Sequence, residues 1–166
     1  MKNISFFATK EQFRDGSKDV TRRINWLNLN KGDVLMAVEK CQGIKPGELV
    51  RMGPIEITQV SREPLSDIIT CPVRGPSCKP ETTREGFPKI SPHTFVEIFK
   101  EINPKCTDNT VITRIQFRKI SRCAVNENGF CGPHPECPAS RFDNAKDCGK
   151  GARLCHEITT FWESTS

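Results

Sequence analysis

Short apolar runs broken by glycine and proline set the layout of this chain. Residues 4–7, Ile-Ser-Phe-Phe, predict a first strand. Thr9-Lys10-Glu11-Gln12 fits a capping box, with Thr9 as N-cap and Gln12 at the third position, so a short helix should follow and stop at Gly16. Lys31-Gly32-Asp33 predicts a turn into a buried strand, Val34–Val38, and Gly43, Pro46 and Gly47 mark the loop after it. Residues 55–60 alternate, with Ile55 and Ile57 on one side and Glu56 and Thr58 on the other, as in a half-buried strand. A helical turn over 65–69 follows Pro64.

Residues 71–80 hold three prolines and a glycine, which predicts a loop. Ser91 and Pro92 then suit the N-cap and first position of a helix. Phe95, Ile98, Phe99 and Ile102 follow at i, i+3, i+4 and i+7 and form one face, ending by Asn103-Pro104. Residues 110–120 make the longest strand candidate, with Val111, Ile115 and Phe117 on one face and Arg114, Gln116 and Arg118 on the other. Several short strands with two or three helices predict an α+β domain over residues 1–120, a small β-barrel with flanking helices. Beyond it, residues 121–166 are rich in glycine, proline and cysteine and poor in apolar residues until 158–162. Such an irregular segment needs help to order, and a metal ion would supply it.

The cysteines sharpen this second point. There are nine, an odd number, and five fall at Cys123, Cys131, Cys137, Cys148 and Cys155. No leader or membrane-spanning run is visible, so the expectation is a cytoplasmic protein with no membrane partner, where thiols more often hold metal than form disulfides. Cys131, Cys137, Cys148 and Cys155 are the expected ligands of a structural zinc, with Cys123, His134 and His156 as substitutes. Four thiolates leave no open position, so this site is not expected to be catalytic.

Charge changes the picture less. Lys plus Arg is 25 against 20 for Asp plus Glu, a net +5 that is compatible with a nucleotide or nucleic-acid partner. Candidate chemistry concentrates at residues 16–23, Gly-Ser-Lys-Asp-Val-Thr-Arg-Arg. A hydroxyl at Thr21, an amine at Lys18 and the adjacent Arg22 and Arg23 combine a nucleophile, a base and anion-binding groups. The neighbouring arginines would lower the lysine pKa toward neutral. Phe7 and Trp26 are candidates to stack on a base.

Gly16-x-Lys18-x-x-Thr21-x-Arg23 resembles the signature of the ASCH domains, a family of the PUA-like superfamily, and Lys31-Gly32-Asp33-Val34-Leu35 resembles the family's turn into its next strand. The likeness covers roughly residues 4–120. Thr21 stands where many members have Glu, as in the family's small bacterial N4-acetylcytidine amidohydrolases. That resemblance implies a PUA-like barrel and a third catalytic residue, Glu85, in Arg84-Glu85-Gly86-Phe87-Pro88 ahead of the Ser91 helix. It also implies a nucleoside, or an RNA or DNA base, as partner. The activity implied is hydrolysis of an N-acyl group from a modified cytidine. The alternatives are a non-catalytic module for RNA or modified bases, and a small protein-interaction factor of a mobile element. The chain departs from those enzymes in its length, its 71–80 loop and its Cys-rich tail.

Overall fold

The chain divides into two units, Met1–Arg118 and Lys119–Ser166, of which the first is described below. The computed structural model describes residues 1–70 and 79–120, so the loop over 71–78 and the expected zinc ligands Cys131, Cys137, Cys148 and Cys155 lie outside the described residues.

Five strands build one mixed sheet: β1 (Lys2–Ser5), β2 (Val20–Arg23), β3 (Val34–Val38), β4 (Arg51–Pro64) and β5 (Val111–Lys119), in the order β1-β3-β4-β5-β2. β1 runs parallel to β3, with Ile4 opposite Ala37. β3 and β4 are antiparallel, with Leu35 opposite Ile55, and β2 and β5 are antiparallel, with Thr21 opposite Ile115. The sheet curls into a half-barrel, and with its helices it makes the expected α+β fold. Its edge strands β1 and β2 are not paired with each other. Instead the Arg23 guanidinium reaches from β2 and donates through Nη2 to the Ser5 carbonyl on β1.

Among the described residues four short helices accompany the sheet: α1 (Lys10–Arg14), α2 (Asp67–Thr70), α3 (Glu81–Arg84) and α4 (Pro92–Ile102). α4 begins as its sequence dictates. Ser91 Oγ accepts from Thr94 N at 3.1 Å, and Pro92 takes the first helical turn, where no amide donor is needed. Two apolar clusters hold the layers. One joins Ile4, Phe6, Phe13, Ile55, Ile57 and Phe117 inside the curl. The other packs α2 and α4 through Leu65, Ile68, Phe95 and Val96 onto Ile112.

Several expectations need correction. The first strand ends at Ser5 rather than residue 7, because Phe6 turns into the core and a 3-10 turn follows over Phe7–Thr9. Thr9 does precede α1, but its side chain makes no capping bond, since it already belongs to that turn. Gly16 follows α1 at φ +79, the left-handed geometry that ends a helix. The longest strand is β4, of 14 residues, not β5, of 9, because β4 continues past its pairing with β3 to run beside β5. Nor is β4 half-buried over Ile55–Ile57. Glu56 is 2% exposed and receives both Arg118 Nε and Nη2 at 2.9 and 2.8 Å, which satisfies its charge away from water.

Candidate functional site

The open seam between β1 and β2 holds a cavity of about 240 Å³. One wall is apolar: Phe87 with Phe95, Ile98, Phe99 and Ile102 of α4. The other carries Lys18, Thr21, Arg22, Arg23 and Glu85, and Phe6, Phe7, Thr9 and Asn103 are also in the lining. Six of the seven residues singled out for catalysis or base binding therefore share one cavity. Trp26 stands apart: it packs against the inner core and lines two other depressions, with Lys2 Nζ 4.1 Å from its ring centroid. Phe7 lies at the cavity, 64% exposed.

Lys18 lies in the short stretch between Gly16 and β2, with its side chain 2% exposed. Its Nζ donates to Val20 O at 2.7 Å, to the Glu85 carbonyl, and to Glu85 Oε2 at 3.3 Å. Three acceptors match the three donors of an ammonium. Burial nevertheless disfavours that charge and lowers the pKa from 10.5 to about 8; Arg23 and Arg22 add to the fall while Glu85 opposes it. The aromatic face of Phe6 lies below, 5.5 Å from Lys18 Nζ and 5.9 Å from Arg23 Cζ.

Glu85 is delivered by α3. Pro80 fixes the backbone before that helix, Glu81 occupies its first turn and Arg84 its last, paired at 2.9 Å. Glu85 follows as the C-cap, and Gly86 at φ +91 turns the chain away. A Cβ on Gly86 would sit 2.9 Å from Thr9 Cβ and Cγ2, so only glycine allows this close approach of the Glu85 turn to α1.

Ion pairs clamp α3 to the sheet. Arg22, 1% exposed, donates from Nε to Glu63 at 2.9 Å, from Nη1 to Glu85 at 3.0 Å and from Nη2 to Glu81 at 2.8 Å. Burial works against its charge, but Glu85, Glu63 and Glu81 hold it above its ordinary value. Arg114 grips Glu81 through two bonds of 2.8 and 2.9 Å, and Arg84 grips Asp19. Although burial raises the Glu81 pKa, the bonds from Arg114 and Arg22 hold it at about 2. The cluster thus sets Lys18, Arg22, Arg84 and Arg114 against Asp19, Glu63, Glu81 and Glu85, four charges of each sign.

Arg23 is left over. It forms no ion pair among the described residues, and its Nε is buried without a hydrogen-bond partner. Burial lowers its pKa, against the pull of Glu85 and Cys41. Thr21, 3% exposed, also lines the cavity, and its hydroxyl has no partner among the described residues. Successive side chains of a strand point to opposite faces, so Thr21 and Arg23 share one face of β2, while Arg22, which also borders the cavity, gives its guanidinium to Glu63, Glu81 and Glu85. Among the described residues the arrangement offers a guanidinium with an unbonded Nε and no ion pair, an unpaired hydroxyl and an amine of lowered pKa around one small cavity.

Sequence reasoning missed the apolar wall. The stripe Phe95, Ile98, Phe99, Ile102 was visible as a helix face, but its use as a ligand wall was not. Ile102, 71% exposed, carries that stripe past the core to the cavity. Among the described residues there is no group of three or more His, Cys, Asp or Glu placed to hold a metal, and no helix long and apolar enough to cross a membrane.

No family model and no curated protein matches the chain. Among solved structures it is similar to an ASCH domain from Lactobacillus crispatus JV V101, with 13% identity and a TM-score of 0.49 over 71% of this chain and 78% of that one. It is also similar to hypothetical protein PH0355, with 10% identity and a TM-score of 0.48 over 72% and 96% of the two chains. A third similar structure is protein EF3133 from Enterococcus faecalis V583, with 10% identity and a TM-score of 0.48 over 72% and 76%. These are likenesses of fold.

Proposed function

We propose that the seam cavity recognises the base of a nucleoside. The observation that carries this reading is the pairing of one apolar wall with one polar wall on which, among the described residues, Arg23 and Thr21 keep unspent donors. A flat heterocycle has that character, with apolar faces and a polar edge. The volume, about 240 Å³, lies below the ~300–1,000 Å³ of sites for drug-sized ligands and suits a single ring system. Arg23 serves the carbonyl edge of the base, and Phe7 at the cavity is available to stack on it. Calorimetric titration of ribonucleosides tests this: binding that Arg23→Met removes supports it, and no binding of any nucleoside sinks it.

Lys18 favours a second, catalytic reading of the same site. An amine that titrates at about 8 is available as a base in about a tenth of molecules at pH 7. In this reading Thr21 Oγ attacks the carbonyl carbon of an N-acyl group on a modified cytidine while Lys18 Nζ takes the hydroxyl proton. The tetrahedral intermediate collapses, the C–N bond breaks, and the exocyclic nitrogen leaves with a proton returned by Lys18. Water then hydrolyses the Thr21 ester. Glu85 holds Lys18 in place, and its bond to Nζ, at 3.3 Å, is the weak one that a neutral amine can give up. Release of acetate from N4-acetylcytidine, abolished by Thr21→Ala, is the expected result. Binding without turnover across acylated nucleosides would leave a recognition module.

A further inference from the structure

Asn103 ends α4 as its C-cap, at φ −127 and ψ 78, and lines the cavity half-buried. Its Nδ2 donates to the Phe99 carbonyl at 2.9 Å. A carbonyl oxygen only accepts, so this bond fixes which way the carboxamide lies: one N–H of its NH₂ is given to the helix and Oδ1 stands as an acceptor. That oxygen has no partner among the described residues. It complements Arg23, which on the same cavity offers donors only. The residue before Asn103, Ile102, is 71% exposed and also lines the cavity, so this end is the rim and open to water.

Resting on the nucleoside reading above, we infer that Asn103 is a specificity residue. It accepts a hydrogen bond from the ribose 2′-hydroxyl and makes the cavity prefer ribonucleosides to 2′-deoxyribonucleosides. The base takes the enclosed, apolar-walled part of the cavity, which leaves the sugar, with its hydroxyls, at the wet rim where the free acceptor stands. The 2′-hydroxyl is the donor by which a protein tells RNA components from DNA components. One neutral hydrogen bond of this kind is worth about a three- to tenfold difference in affinity.

The test titrates the protein with cytidine and 2′-deoxycytidine, neither of which carries an acyl group to be consumed. Wild type should bind cytidine about three- to tenfold more tightly. Asn103→Leu should lose that preference by weakening cytidine while leaving 2′-deoxycytidine unchanged. Asn103→Asp keeps an acceptor but loses the bond to Phe99, so it should retain the preference even though α4 ends less firmly. Equal binding of the two nucleosides by wild type overturns the inference, and so does a ribose preference that survives in Asn103→Leu. Failure of both nucleosides to bind is a different result, which removes the base-recognition reading itself.

Discussion

Glu85 meets Lys18 twice, with its backbone carbonyl and with Oε2 at 3.3 Å from Nζ, and both side chains are buried. The same carboxylate accepts from Arg22 Nη1 at 3.0 Å, so one side chain holds the lysine of the cavity and the arginine of the clamp. Glu85 raises the Lys18 pKa against burial. Glu85→Gln keeps the shape and removes the charge, so Lys18 should titrate below 8 in that variant. The Nζ chemical shift followed against pH by NMR reads this directly; an unchanged midpoint would refute the coupling.

Gly86 controls whether Glu85 can arrive at all. Gly86→Ala places a methyl 2.9 Å from Thr9 and forces an L-residue to φ +91. Left-handed strain of about 1–2 kcal/mol and overpacking of about 1–3 kcal/mol should together lower stability by about 2–5 kcal/mol. Denaturant unfolding measures it. A loss under about 0.5 kcal/mol, the scale of an ordinary surface change, would mean that the turn is not held as described.

Much of this arrangement was legible in the chain, and the limits have physical causes. Gly16, Val34–Val38 and the Ser91-Pro92 start of α4 lie where local turn, periodicity and capping rules put them, because neighbours in sequence settle those features. The proximity of Lys18 and Glu85, 67 residues apart, came from the family resemblance; periodicity carries no such information. Arg22 and Arg23 look alike in sequence, yet one is saturated by three glutamates and the other keeps an unpaired Nε. Strand alternation separates their faces, but which face meets Glu63, Glu81 and Glu85 depends on tertiary packing. Glu56 was misplaced for the same reason, since its partner Arg118 comes from a distant strand.

Lys18 also gives the fold an alkaline signature. Its pKa is about 8 in the folded chain against 10.5 for an unperturbed lysine, with burial the main cause. Between those values unfolding takes up a proton, so stability rises with pH across this window. Below 8 both states are protonated, and the burial cost stands in full, at about 3 kcal/mol as an upper bound. Denaturant unfolding at pH 7.5 and pH 10 should show wild type gaining on Lys18→Met as pH rises. If Lys18 is the base, activity should climb about tenfold per pH unit up to about 8 and then level.

Glu81 acts at the other end of the scale. Burial raises its pKa, but the bonds from Arg114 and Arg22 hold it at about 2, against 4.5 for a free carboxylate. A depressed carboxylate contributes stability above 4.5 that is lost as pH falls toward 2. Glu81→Gln should therefore be less stable than wild type at pH 6, and the gap should close on acidification. Thermal unfolding at pH 6, 4 and 3 follows it; a gap that stays constant would contradict the ion-pair assignment.

The two adjacent arginines should separate stability from binding. Removing Arg22 leaves Glu63, Glu81 and Glu85 facing one another in a buried cluster, so Arg22→Met should cost about 3–5 kcal/mol. Arg23 is different. It forms no ion pair among the described residues, its Nε donor is already unsatisfied, and its protein partner is one carbonyl across the seam. Arg23→Met should therefore change stability by no more than about 1 kcal/mol while removing a charged hydrogen bond to the ligand, a loss of about ten- to a hundredfold in affinity. Unfolding curves and nucleoside titrations on both variants give the comparison. If Arg23→Met unfolds the protein as readily as Arg22→Met, Arg23 is a strut of the seam and its free donors are not there for a ligand.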